Sequence, residues 1–205
     1  MSQQPLTYLA LGDSYTIGEA VTEQESFPFQ LVAALNAKAI AMAKPKIIAK
    51  TGWTTDELQA AIIAEDNTQV YDLVTLLIGV NNQYRDYSPT VYRKEFRELL
   101  QTAIAFAGGN KNHVFVVSIP DWSATPFAKQ SGRNLDEISN NIATFNAINK
   151  EEALALAINY TDITPASRDA LTDNDLLASD GLHPSGIMYS QWVKSLLPSV
   201  LKIYQ

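Results

Sequence analysis

The sequence predicts an α/β protein, a three-layer α/β/α sandwich whose five-stranded, mostly parallel sheet lies between helices. Three observations carry that prediction. Short apolar runs of strand length alternate with longer segments whose apolar residues recur at helical spacing. The third run, Leu73-Val74-Thr75-Leu76-Leu77-Ile78, is almost uninterrupted, as a central parallel strand covered on both faces requires. Strand, turn and helix follow one another along the whole chain, the order that builds a parallel sheet between helix layers.

The elements follow in order. Residues 1–5 read as a short tail, and the first strand runs from Leu6 to Leu11 before stopping at Gly12-Asp13-Ser14. Gly18 to Pro28 is a loop. Phe29 to Ala43 carries a helical stripe of Leu31, Ala34, Leu35 and Ala39, with Pro45 as its stop signal. Lys46 to Lys50 is a second strand, followed by Thr51-Gly52-Trp53. Thr54 or Thr55 caps a helix that buries Leu58, Ala61 and Ile62. The third strand stops at Gly79-Val80-Asn81-Asn82. Ser88-Pro89, a cap followed by proline in the first turn, opens a helix to Phe106 that Gly108-Gly109-Asn110 breaks. His113 to Ile119 is a fourth strand, and Pro120 to Arg133 a long loop containing Trp122 and Phe127. A helix spans Asn134 to Leu156, and a short fifth strand Ile158 to Asp162. Thr164 to Ser179 is irregular or partly helical, and Pro184 to Lys202 closes the chain as a helix.

Composition narrows the function. A chain of 205 residues fits one domain, 1–205, large enough to bury a core without covalent staples. A net charge of −7 argues against nucleic acid as a partner, which would need a basic footprint. The absence of cysteine removes disulfides, thiolate catalysis and cysteine-ligated metal, and two histidines leave no His-rich metal site. No apolar run approaches the roughly 20 residues of a membrane span. The first residues lack the basic and apolar regions of a signal peptide. The chain as given therefore reads as cytoplasmic, or as secreted or periplasmic if a leader has been removed. Its oligomeric state is left open.

The turn after the first strand exposes a serine at the carboxyl edge of the sheet, where α/β proteins place their chemistry. A nucleophilic Ser14 needs a base, a group that orients the base, and donors for the charge that develops. His113 lies at the start of a strand, on the opposite edge, and reads as structural. His183 lies in Asp180-Gly181-Leu182-His183-Pro184, ahead of the last helix, with Pro184 at the first helical position. Asp180, three residues earlier and across a glycine, can fold back onto one ring nitrogen and leave the other for a hydroxyl. The plain alternative is a helix-entry turn. Backbone N–H groups at Ser14 and Gly52, with the Asn81 carboxamide, can supply three donors to an oxyanion. Taken singly, Gly52 reads equally as a strand-ending turn and Asn81 as an Asx-turn.

Taken together, the four segments resemble the blocks of the SGNH (GDSL-type) hydrolases: Gly12-Asp13-Ser14-Tyr15, Gly52, Gly79-Val80-Asn81-Asn82 and Asp180-x-x-His183. The resemblance implies a flavodoxin-like α/β/α fold. It implies a serine esterase acting through a Ser14–His183–Asp180 triad and an acyl-enzyme, with Ser14, Gly52 and Asn81 as the oxyanion hole and with neither metal nor cofactor. Tyr15 stands where the family name has leucine. Asn82 stands where aspartate is usual, which alters a hydrogen bond to a neighbouring loop.

Trp53, Asn82, Tyr84 and Arg85 are expected to border the substrate, with Trp122 and Phe127 as a wall or lid. Core packing is the alternative for the aromatics, and a surface ion pair for Arg85. The substrate is expected to be a small-molecule or glycan ester with a short acyl chain. A carbohydrate O-deacetylase, a lysophospholipase or a thioesterase of the same superfamily are alternatives. A different class, a flavodoxin-like phosphate or FMN binder using Ser14-Tyr15-Thr16-Ile17-Gly18, also remains, although the Gly-Lys-Ser/Thr of a nucleotide-triphosphate loop is missing.

Overall fold

The computed structural model describes residues 4–204. Of the tail expected at 1–5, residues 1–3 lie outside the described residues, and Gln4 and Pro5 are exposed. Five strands, β1 (Tyr8–Gly12), β2 (Lys46–Ala49), β3 (Leu73–Leu77), β4 (Val114–Val117) and β5 (Asn159–Thr161), form one sheet in the order β2-β1-β3-β4-β5. Every pair is parallel. Both β1 and β3 are buried along their whole length, which accounts for their nearly continuous apolar character, and the Thr75 hydroxyl within β3 is paired with Tyr8 Oη at 2.8 Å.

Helix α1 (Ser14–Ile17) follows β1 directly, and α2 (Phe27–Asn36) carries the chain to β2. Helix α3 (Thr55–Glu65) leads to β3; α4 (Val80–Tyr84) and α5 (Pro89–Phe106) lead from β3 to β4. Helices α6 (Pro126–Gln130) and α7 (Leu135–Ala155) join β4 to β5, and α8 (Thr164–Ser167) and α9 (Gly186–Leu201) complete the chain. Helix α2 packs on α9, with Phe27 against Tyr189 and Trp192, whereas α5 packs between α3 and α7. These are the two helix layers. Among the described residues no helix is long and apolar enough to cross a membrane.

Several expected boundaries move, each for a local reason. The helix expected over 29–43 ends at Asn36. The Asn36 carboxamide accepts from Met42 N and donates to Met42 O, Ala39 takes a positive φ of 62°, and Met42 bridges to Leu6. The last helix begins at Gly186 rather than Pro184, because the Ser185 side chain caps it by accepting from Met188 N; Pro184 instead bridges to Leu177. The expected loop over 120–133 contains a 3-10 turn at Trp122–Ala124 and α6, capped by the Thr125 hydroxyl. Asn81 lies in α4, a five-residue helix in a segment that reads as a turn. His113 sits in a 3-10 turn before β4 with its ring beside Tyr204, on the edge away from Ser14.

Candidate active site

The register of the sheet brings the chemistry together. Gly12 pairs with Ala49 on one side and Leu77 on the other, so β1, β2 and β3 end level. Ser14 lies two residues past Gly12, Gly52 three past Ala49, and Asn81 four past Leu77. Helices leave opposite faces of the sheet after β1 and β3, which makes this the topological switch point where open α/β sheets place ligands.

Ser14 opens α1, and Asp13 caps it with Oδ1 accepting from Tyr15 N at 3.0 Å. As the first helical residue Ser14 leaves its N–H without an intrahelical acceptor. Gly52 has a φ of 85°, a left-handed turn that a side chain would strain. Its carbonyl accepts from Arg85 Nη2 at 2.6 Å, and Arg85 Nη1 pairs with Glu57 Oε1 at 3.0 Å. Arg85 thereby anchors the Gly52–Trp53 peptide, and Trp53 N donates to Lys50 O at 3.2 Å, closing the turn that carries Gly52. Asn81 Nδ2 donates one hydrogen to Trp53 O at 2.9 Å, which fixes the carboxamide and leaves the second hydrogen without an acceptor among the described residues.

His183 arrives on a clasp rather than at a helix cap. Ala178 N donates to His183 O at 2.8 Å and Ser185 N to Leu176 O at 2.8 Å, closing residues 176–185 on themselves. Inside the clasp Asp180 Oδ1 accepts from Leu182 N and His183 N, each at 3.0 Å, and Oδ2 meets His183 Nδ1 at 2.6 Å. Nε2 is therefore the ring nitrogen left for other work. Partial burial opposes the Asp180 charge, yet the hydrogen bonds from the His183 ring and the two N–H groups hold its carboxyl below the usual range. The imidazole packs against Tyr15, with ring centroids 5.5 Å apart.

A cavity of about 250 Å³ is lined by Ser14, Gly52, Asn81 and His183, with Tyr84, Trp122 and Phe127 as its aromatic side. Among the described residues the Ser14 hydroxyl forms no hydrogen bond to the His183 ring, although both face this cavity. Such pairs are often loose in an unliganded site and tighten around substrate. Beneath them the Asp13 carboxyl is fully buried, Oδ2 has no partner among the described residues, and burial pushes its pKa up to about 7.

Of the residues expected to border the substrate, Tyr84, Trp122 and Phe127 line the cavity, and Trp53, Asn82 and Arg85 do not. The Trp53 ring lies half-buried against the core while its carbonyl holds Asn81. Asn82 is 0% exposed: Oδ1 accepts from Thr55 N at 3.0 Å and Nδ2 donates to Thr55 Oγ1 at 2.6 Å, tying α4 to the start of α3. Arg85 is committed to Gly52 and Glu57. Tyr15, Thr51, Val80 and Leu182 complete the lining and were not singled out from the sequence. Each is the immediate neighbour of Ser14, Gly52, Asn81 or His183, a signal that adjacency alone carries.

The chain matches the family model of the GDSL-like lipase/acylhydrolase family over residues 10–190. No curated protein matches it by sequence. Among solved structures, that of TesA superposes with a TM-score of 0.73 at 16% identity, over 96% of this chain and 99% of that one. The lipase Lip_vut3 from a goat rumen metagenome gives 0.71 at 19% identity, over 95% and 97%. A mutant of Axe2, an acetyl-xylooligosaccharide esterase from Geobacillus Stearmophilus, gives 0.70 at 19%, over 98% and 96%. At these identities the likeness concerns the fold, and the family rests on the model match.

Proposed function

The chain belongs to the GDSL-like lipase/acylhydrolase family and is a carboxylic ester hydrolase, and from that premise we propose that Ser14, His183 and Asp180 are its triad and that it cleaves short-chain acyl esters. The Ser14 hydroxyl attacks the acyl carbonyl while His183 Nε2 takes its proton. Asp180, on Nδ1, holds the ring in the required tautomer and offsets the imidazolium charge. The oxyanion receives hydrogen bonds from Ser14 N, Gly52 N and the free Asn81 amide hydrogen. As the tetrahedral adduct collapses, the ester C–O bond breaks and His183 returns the proton to the leaving alcohol. Water, deprotonated by His183, then attacks the acyl-enzyme; the acid leaves and Ser14 regains its proton.

The observation that carries this reading is the meeting of Ser14, Gly52, Asn81 and His183 on one cavity. At about 250 Å³ it lies below the roughly 300–1,000 Å³ of usual small-molecule sites, which favours small acyl groups. One of the similar structures is an acetyl-xylooligosaccharide esterase, and an acetyl group on a sugar accords with a cavity of this size. The family match favours ester hydrolysis over the phosphate-binding alternative.

Steady-state rates on p-nitrophenyl acetate and butyrate test the reading. Ser14→Ala and His183→Ala are each expected to lower kcat by about 10⁴-fold or more with the fold unchanged. Rates equal to wild type in Ser14→Ala would end it.

A further inference from the structure

One wall of the cavity is built with more care than packing alone requires. Trp122 is 2% exposed, and its indole Nε1 donates to Gln83 Oε1 at 2.8 Å. Gln83 is itself buried and lies outside the cavity. It sits on α4, two residues after Asn81. Tyr84 and Phe127 flank the indole, with ring centroids 5.6 and 6.1 Å away. The guanidinium of Arg133 lies over Tyr84 at 4.3 Å and donates to the Tyr84 carbonyl at 3.0 Å. On the other side Phe127 N donates to Gly181 O at 3.1 Å, fastening α6 to the loop that carries Asp180 and His183.

We propose that Trp122, held by Gln83, is the stop that limits acyl-chain length, Gln83 acting as a positioning residue that never meets the substrate. The proposal rests on the triad reading above, because that reading orients the ester. With His183 beside the leaving oxygen, the apolar wall of Tyr84, Trp122 and Phe127 is the part of the cavity that suits the acyl chain. A buried hydrogen bond fixes the depth at which the indole stands. A hydrophobic wall alone would let the ring turn aside for a longer chain. An indole turned aside would leave both its N–H and the Gln83 carbonyl without partners in a dry interior. The stop is therefore stiff.

The test is the ratio of kcat/KM for p-nitrophenyl octanoate to that for p-nitrophenyl acetate, with the leaving group held constant. Trp122→Ala is expected to raise the ratio about tenfold or more, the scale on which a few methylenes in an apolar pocket discriminate. Gln83→Leu, which removes the acceptor and keeps the bulk, is expected to raise it in the same direction, mainly through KM for octanoate. Gln83→Glu, which retains an oxygen facing the indole, is expected to restore the wild-type ratio. If Trp122→Ala fails to fold, Tyr84→Ala keeps the test open, since Tyr84 is 41% exposed and braces the same indole. A ratio unchanged in Trp122→Ala and Gln83→Leu overturns the proposal. So does a change confined to a series of alcohols at constant acetyl, which would put the wall on the leaving-group side. Both results stand apart from failure of the triad, which Ser14→Ala reads independently.

Discussion

At the scale of single residues, the site depends on side chains that are held by one contact and free at another. Asn81 gives one amide hydrogen to Trp53 O and keeps one; His183 gives Nδ1 to Asp180 and keeps Nε2. Asp13 is the opposite case, a buried carboxyl with one oxygen unpartnered and a pKa pushed up to about 7. Below the ordinary value near 3.8 the carboxyl is protonated in folded and unfolded chains alike, and its burial carries no ionic penalty. Between that value and about 7 the unfolded chain ionises while the folded one resists, so stability falls as pH rises, and above about 7 the penalty levels off. The displacement corresponds to about 4 kcal/mol at most. Asp13→Asn keeps an oxygen for Tyr15 N and removes the titration. Thermal unfolding at pH 5 and pH 8 is expected to show the variant gaining on wild type as pH rises; parallel pH curves would contradict the burial account. Nothing in the residue types of Asp13 announced this, because burial is a property of the assembled fold. The pairing of Asp180 with the His183 ring was legible for the converse reason: it follows from side-chain type and a three-residue spacing.

At the scale of elements, legibility followed the strength of local signals. Helix α5 spans Pro89–Phe106, the bounds that Ser88-Pro89 and Gly108-Gly109 mark, and Ser88 caps it from its side chain. Helix α7 likewise begins after Asn134, whose side chain accepts from Asp136 N and Glu137 N. Helices α4 and α6 were unreadable because five residues give barely more than one turn, too few to show a period. The end of α2 was set by the Asn36–Met42 clasp and the Leu6 bridge, contacts between residues whose proximity no propensity encodes. Asn82 and Arg85 were misplaced for a related reason. Sequence proximity to Asn81 puts them near the cavity, but a helix turns its successive residues through different faces, and α4 sends these two to Thr55 and to Gly52. The hinge of this element is Gly79, whose φ is 125°. A Cβ there would stand 2.3 Å from Tyr92 Oη and 2.8 Å from Ile119 Cδ1, and Tyr92 is itself locked to Ile78 O and Asn149 Oδ1. Gly79→Ala is expected to cost about 3 kcal/mol or more in urea unfolding, and to lower kcat by displacing Asn81. An unchanged urea midpoint would contradict that placement of the hinge.

At the scale of the whole molecule, alternation of strands and helices predicted a parallel sheet, but alternation does not specify strand order. The order β2-β1-β3-β4-β5 is what puts Ser14 between Gly52 and Asn81, and the level ends of three strands are what bring them to one height. His183 reaches the same place from the far end of the chain because α9 packs on α2, setting Trp192 and the imidazole against Tyr15. Convergence of this kind depends on register and on helix packing between distant segments; that Ser14, Gly52 and Asn81 can serve one oxyanion was legible in the sequence, whereas the strand register and the packing of α9 on α2 were not. The central claim is that this assembly activates one hydroxyl out of all those in the chain. The most direct test is to treat the protein with a fluorophosphonate, weigh the intact product and map the modified peptide. The account predicts a single adduct on Ser14, its formation slowed severely in His183→Ala. An adduct on another residue, or no adduct on a protein that hydrolyses esters, would contradict it.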